Sequence, residues 1–97
     1  MSFENHLKEE IRLVILRFLN EWASYRGNSS TLHSELNRWG LSCSRDQVKT
    51  ELHWLKEQGC VEIELDNPQV IVVKLIERGQ DVAEGRTKVY GIKRPSA

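Results

Sequence analysis

The hydrophobic rhythm of the chain changes once, at Gly59, and that change limits the possible folds more than any other feature. Before Gly59, apolar residues recur at helical spacing. After it, Val61, Ile63 and Leu65 alternate with Glu62 and Glu64, the period of two that lays one face of a strand on a core. Asp66-Asn67-Pro68 has turn chemistry, and the β-branched run Val70-Ile71-Val72-Val73-Lys74-Leu75 can return antiparallel to the first strand. A wing-like hairpin is therefore predicted over 60–75.

Upstream, Phe3, Leu7, Ile11, Val14, Ile15, Phe18, Leu19 and Trp22 build one helical stripe, flanked by Leu13 and Leu16. This predicts a first helix over 3–25. The stripe is wider than one neighbour requires, so part of it is expected to face a second subunit. Tyr25-Arg26-Gly27-Asn28-Ser29 ends the helix and reads as a loop. Ser29 or Ser30 can then cap a short second helix over 30–39, in which Leu32, Leu36 and Trp39 repeat until Gly40 stops it. Ser44-Arg45-Asp46-Gln47 fits a capping box and opens a third helix over 45–58. Its inward row is Val48, Leu52 and Leu55, with Lys56 in the last turn and Gly59 as a left-handed terminus. A fourth helix is predicted over 77–84 with Val82 and Ala83 inward, although Gly79 costs roughly 1 kcal/mol there relative to Ala.

Composition narrows the function. The 97 residues suit one domain, and no apolar run reaches the roughly 20 residues that span a bilayer. No membrane association is expected. Met1-Ser2-Phe3-Glu4-Asn5 lacks a basic leader and apolar core, so a cytoplasmic location is expected. The 14 basic and 14 acidic side chains cancel, but unevenly. The hairpin carries only Glu62, Glu64 and Asp66, which would repel phosphates, whereas the charged side chains after Gly85 are Arg86, Lys88, Lys93 and Arg94.

Cys43 and Cys60 have no Cys-x-x-Cys or His-x-x-x-His companion, so neither a disulfide framework nor a zinc site is indicated. Both read as packing residues, with thiol sensing as the lesser alternative. His6, His33 and His53 share no metal-ligand spacing, and no nucleophile elbow, phosphate loop or paired-acid motif occurs. Neither a cofactor nor an enzymatic activity is expected.

Ser44-Arg45-Asp46-x-Val48, Leu52-x-x-Leu55 and Gly59-Cys60-Val61 resemble the recognition-helix signature of bacterial winged-helix regulators such as the ArsR and MarR families. Leu75-Ile76-Glu77-Arg78-Gly79-x-Asp81-Val82-Ala83-x-Gly85-Arg86, followed by Gly91-Ile92-Lys93-Arg94-Pro95, resembles small winged-helix proteins encoded in Mu-like prophages. Two positions depart from those patterns. Ile76 stands where such regulators often carry a helix-capping Thr, and the third helix lacks the Cys-x-Cys of the metal sensors.

The resemblance and the element order together imply a mainly α domain with a β-hairpin (α+β), a winged helix-turn-helix, over 1–86, and a basic tail over 87–97. In such a fold the third helix enters the major groove with its N-terminal residues near base edges. Arg45 then suits guanine and Gln47 adenine, while Lys49, Thr50 and His53 suit phosphates or secondary base contacts. Each can equally belong to a solvated face. Lys93 and Arg94 of the tail are further DNA candidates, unless Val89, Tyr90 and Ile92 pin that tail to the core or to a partner. Trp22, Trp39 and Trp54 read as core or interface aromatics, with Trp54 placed for a subunit contact. The expected partner is double-stranded DNA, bound by a homodimer whose shared surface comes from the first helix and the C-terminal elements. Transcriptional regulation in a phage or prophage is the leading expectation. The alternative is a winged-helix protein-interaction module acting as an accessory in phage DNA packaging or assembly.

Overall fold

Helix α1 (Phe3–Glu21) starts where the Ser2 hydroxyl accepts the amide of Asn5 at 3.2 Å, satisfying one of the exposed donors of the first turn. This computed structural model describes residues 2–95. The buried side chains of α1 are Ile11, Leu13, Ile15, Leu16 and Leu19, so the core face is rotated away from Phe3, Val14 and Phe18 on the predicted stripe. Leu13 and Leu16, predicted to flank that stripe, lie in the core.

The helix stops four residues earlier than predicted. Trp22 adopts an extended conformation, and Ser24 and Tyr25 take positive φ angles of 59° and 58° within a single 3₁₀ turn, Ala23–Tyr25. Residues predicted as a loop then form strand β1 (Arg26–Asn28). β1 is possible because Gly27 has no Cβ, which would stand 2.7 Å from the Trp22 ring and 2.9 Å from Leu19.

β1 also moves the cap of the next helix. Helix α2 (Ser29–Arg38) is capped by Asn28, whose Oδ1 accepts the Thr31 amide at 2.9 Å, and not by Ser29 or Ser30. Ser29 is buried instead, its hydroxyl accepting the Ile71 amide at 3.0 Å and tying the helix to the sheet. Helix α3 (Arg45–Glu57), strands β2 (Val61–Asp66) and β3 (Ile71–Leu75), and helix α4 (Glu77–Ala83) follow as predicted, within a residue or so at their ends. α4 begins at Ile76 without a side-chain cap; the Ile76 amide donates to the Cys60 carbonyl at 3.2 Å.

Among the described residues the fold is α+β, four α-helices and one three-stranded antiparallel sheet in the order β1-β3-β2. Ile71, Val73 and Leu75 of the central strand point into the core. On β2 the register slips between Ile63, opposite Val73, and Leu65, opposite Val72, so Glu64 forms a bulge. The bulge interrupts the predicted alternation, and Leu65 is 48% exposed where an inward side chain was expected. α4 packs on α1, with Val82 and Ala83 buried as predicted.

The expected tail is not a free arm as far as Pro95; residues 96 and 97 lie outside the described residues. Val89 and Ile92 are buried in the core, and the Lys93 amide donates to the Glu9 carbonyl of α1 at 3.1 Å. Tyr90, read with them as a possible anchor, is 93% exposed.

Candidate nucleic-acid interface

α3 owes its start to Ser44, whose Oγ accepts the Gln47 amide at 3.0 Å. The turn before it is held rigid by α2. The Cys43 carbonyl meets His33 Nε2 at 2.9 Å and Asn37 Nδ2 at 3.3 Å, and Asn37 Oδ1 accepts the Cys43 amide at 3.4 Å. Val48, Glu51, Leu52 and Leu55 face inward, leaving Arg45, Asp46, Thr50, His53, Lys56 and Glu57 exposed.

The hairpin folds onto one flank of this helix. Lys49 Nζ donates to the Pro68 carbonyl at 2.7 Å, and His53 Nε2 lies 3.3 Å from Asp66 Oδ2. The tip is stiffened by Asn67, whose Oδ1 accepts the amides of Gln69 at 2.9 Å and Val70 at 2.8 Å. Arg45 lies four residues before Lys49 and Lys56 seven after it, so all three bases share the flank that meets the hairpin. Lys56 was read from the sequence only as a helix-end cation, yet the 45, 49, 56 spacing already placed it there.

The hairpin carboxylates are less repulsive than their sequence suggests. Arg26 of β1 grips Glu64 through two hydrogen bonds of 2.7 and 3.0 Å. That hydrogen bonding holds the Glu64 carboxyl below its ordinary pKa and raises that of Arg26. Asp66 has His53 beside it, and Glu62 lies opposite Lys74 in the β2–β3 register. Because β1 was not foreseen, neither was the Arg26 pair.

Other expected site residues are placed differently. Gln47 is half-buried and lines a groove with Glu4, Leu7 and Lys8 of α1. The Thr50 hydroxyl donates back to the Asp46 carbonyl at 3.0 Å. Lys93 is tied to α1, its ammonium 3.7 Å from Glu10, while Arg94 is exposed just beyond. The structure thus joins Arg45, Lys49 and His53 to the hairpin and attaches Lys93 to α1 instead.

The opposite flank of α3 is locked into the molecule. Arg12 donates to Glu51 at 2.6 Å and to the Gly91 carbonyl at 2.9 Å, and its guanidinium lies 3.8 Å over the Trp54 ring. Gly91 packs so closely on Trp54 that a Cβ would approach the ring to 2.9 Å. Trp54, placed for a subunit contact in the sequence, is covered by its own chain. Cys60 is fully buried and Cys43 half-buried; burial pushes both thiols above their ordinary pKa, with Glu51 adding to the effect at Cys43. No helix among the described residues is long and apolar enough to cross a membrane.

Fold and site together define a small α+β domain in which one capped helix and a β-hairpin share a single polar face. The chain belongs to the family of the uncharacterized protein gp26 of Escherichia phage Mu, with which it is 46% identical over 89 residues, covering 92% of this chain and 91% of that protein. It is also 40% identical over 78 residues to an uncharacterized protein of Haemophilus influenzae, covering 80% of this chain and 76% of the relative. No family model matches the sequence. The expected likeness to proteins of Mu-like phages is met by the relative from phage Mu.

Proposed function

We propose that this is a winged-helix DNA-binding protein that regulates transcription in a phage or prophage. α2 and α3 form its helix-turn-helix, β2 and β3 its wing, and α3 enters the major groove with Arg45 leading. One observation carries this reading: the wing tip rests on the flank of α3 that holds Arg45, Lys49 and Lys56, so helix and hairpin present one continuous face. The pairing of Glu64 with Arg26 and of Asp66 with His53 supports it, because it weakens the repulsion an acidic wing would exert on phosphates. The kinship with a phage protein supports the phage setting.

Gel-shift titration of the full chain against a pool of random-sequence duplexes, followed by selection of the retained sequences, tests the reading. Arg45→Ala is expected to weaken binding to a selected site by about 1–3 kcal/mol and relax preference at one base pair, the signature of a base contact. Lys56→Ala is expected to weaken all duplexes alike. Failure to retain any duplex at low salt would refute it.

A second reading has its own support. Lys49 and His53 are occupied by acceptors of their own chain, and the formal net charge is zero, which suits a winged helix used as a protein-contact module in phage DNA packaging or assembly. That reading calls for a complex with another phage protein that survives high salt, where contacts to phosphate are lost.

A further inference from the structure

Helix α1 carries a second row of residues beside the one it buries. Ile11, Ile15 and Leu19 face the core, whereas Phe3 is 79% exposed and Leu7, Val14 and Phe18 are only half-buried. With Glu10, Arg17 and Glu21 they give positions 3, 7, 10, 14, 17 and 21, steps of four and three in alternation. That is the 3.5-residue spacing along which two helices stay in register. Beside the row, Val14 and Phe18 join Leu41 and the 71% exposed Trp39 in a groove of about 460 Å³.

We propose that this row is the interface between two copies of the chain, packed with their α1 helices antiparallel about a two-fold axis close to Val14. The order of residues along the row singles out a second copy as the occupant. With the axis there, Val14 meets its own symmetry mate. Glu10 lies four residues before Val14 and Arg17 three after, so each carboxylate falls opposite the other copy's guanidinium, twice over. Leu7 falls opposite Phe18, and Phe3 reaches the Phe18–Trp39 end of the groove. Opposite charges and apolar pairs thus coincide in one register, the self-complementarity that an isologous interface demands. Lys93 lies 3.7 Å from Oε2 of Glu10, which leaves Oε1 to the guanidinium. Pairing of this kind does not depend on what α3 binds.

Sedimentation equilibrium of the full chain, with folding of each variant checked by circular dichroism, tests the interface. The wild type is expected to be a reversible dimer, and Trp39→Ala, an exposed position the core does not use, is expected to loosen it. Arg17→Glu and Glu10→Arg are each expected to weaken association about tenfold, and the double variant Glu10→Arg/Arg17→Glu to recover most of that loss. A wild type that stays monomeric up to about 1 mM would overturn the proposal. So would a dimer indifferent to both single charge reversals, or a double variant no better than either single one.

Discussion

At Gly79 the backbone of α4 passes so close to β2 that a Cβ would sit 2.1 Å from the Cys60 carbonyl oxygen and 2.6 Å from a Leu75 methyl. Helix propensity alone favours Ala there by roughly 1 kcal/mol, and the contact reverses that preference. Gly79→Ala is expected to destabilise the fold by about 1–3 kcal/mol, lowering Tm by several degrees in thermal unfolding; an unchanged or higher Tm would contradict the close approach. The sequence showed Gly79 as a weakness because the element it touches lies 19 positions earlier, at Cys60. Glu51 is a similar case. It is only 1% exposed and holds the Arg12 guanidinium, so Glu51→Ala strands a cation between α1, α3 and the C-terminal segment. The expected cost is about 3 kcal/mol in denaturant unfolding, and a loss below about 1 kcal/mol would show that Gly91 and Trp54 suffice to hold Arg12. Helical spacing alone places Glu51 at the edge of the inward row and does not reveal its partner. The cysteines give a chemical check. With both thiols pushed up by burial, the folded protein is expected to resist alkylation at neutral pH, Cys60 more than Cys43, and rapid labelling of Cys60 would contradict its packing role.

Among the elements, α3 was the most legible and β1 the least. The Ser44 cap, the inward Val48-Leu52-Leu55 row and the Gly59 stop are local signals, and each performs the role read from it. Ser44→Ala is expected to cost about 1 kcal/mol, measured as a shift in the denaturation midpoint without a change in its slope. β1 has three residues, no alternation and a central glycine; it exists only because β3 offers a free edge and Trp22 lies flat over Gly27. Missing it also hid the Asn28 cap and the grip of Arg26 on Glu64. That grip couples sheet to pH. The Glu64 carboxyl is depressed in the folded state chiefly by the Arg26 hydrogen bond, and that of Glu84 chiefly by Asn20 and then Arg86. A depressed carboxylate adds stability that is present above its ordinary pKa of 4.5 and is lost as the pH falls through the folded value. Both groups are exposed, so the loss is expected to be modest. Glu64→Gln should show a smaller fall in denaturation midpoint than wild type between about pH 6 and pH 3, and an equal fall would place the acid sensitivity elsewhere.

For the whole molecule, the helix order and the hairpin were readable because both rest on periodicity. The assembly of the candidate face was not, since it depends on where the bulge at Glu64 carries the hairpin tip and on which cations the wing carboxylates find. The same limit applies to the tail. Lys93 and Arg94 stood out as free charge in the sequence, whereas Val89 and Ile92 beside them anchor the segment in the core and bring Lys93 to Glu10. The bases left to meet a polyanion are thereby concentrated on α3. The proposed role of the α3–hairpin face is tested most directly by fluorescence-anisotropy titration of a labelled duplex over a range of salt concentrations, with wild type and the Arg45→Ala/Lys56→Ala variant side by side. The expected result is binding at low salt whose log affinity falls linearly with log salt, with the slope shallower by about two in the variant, one for each lost phosphate contact. Two identical slopes, or no binding of the wild type at low salt, would contradict it.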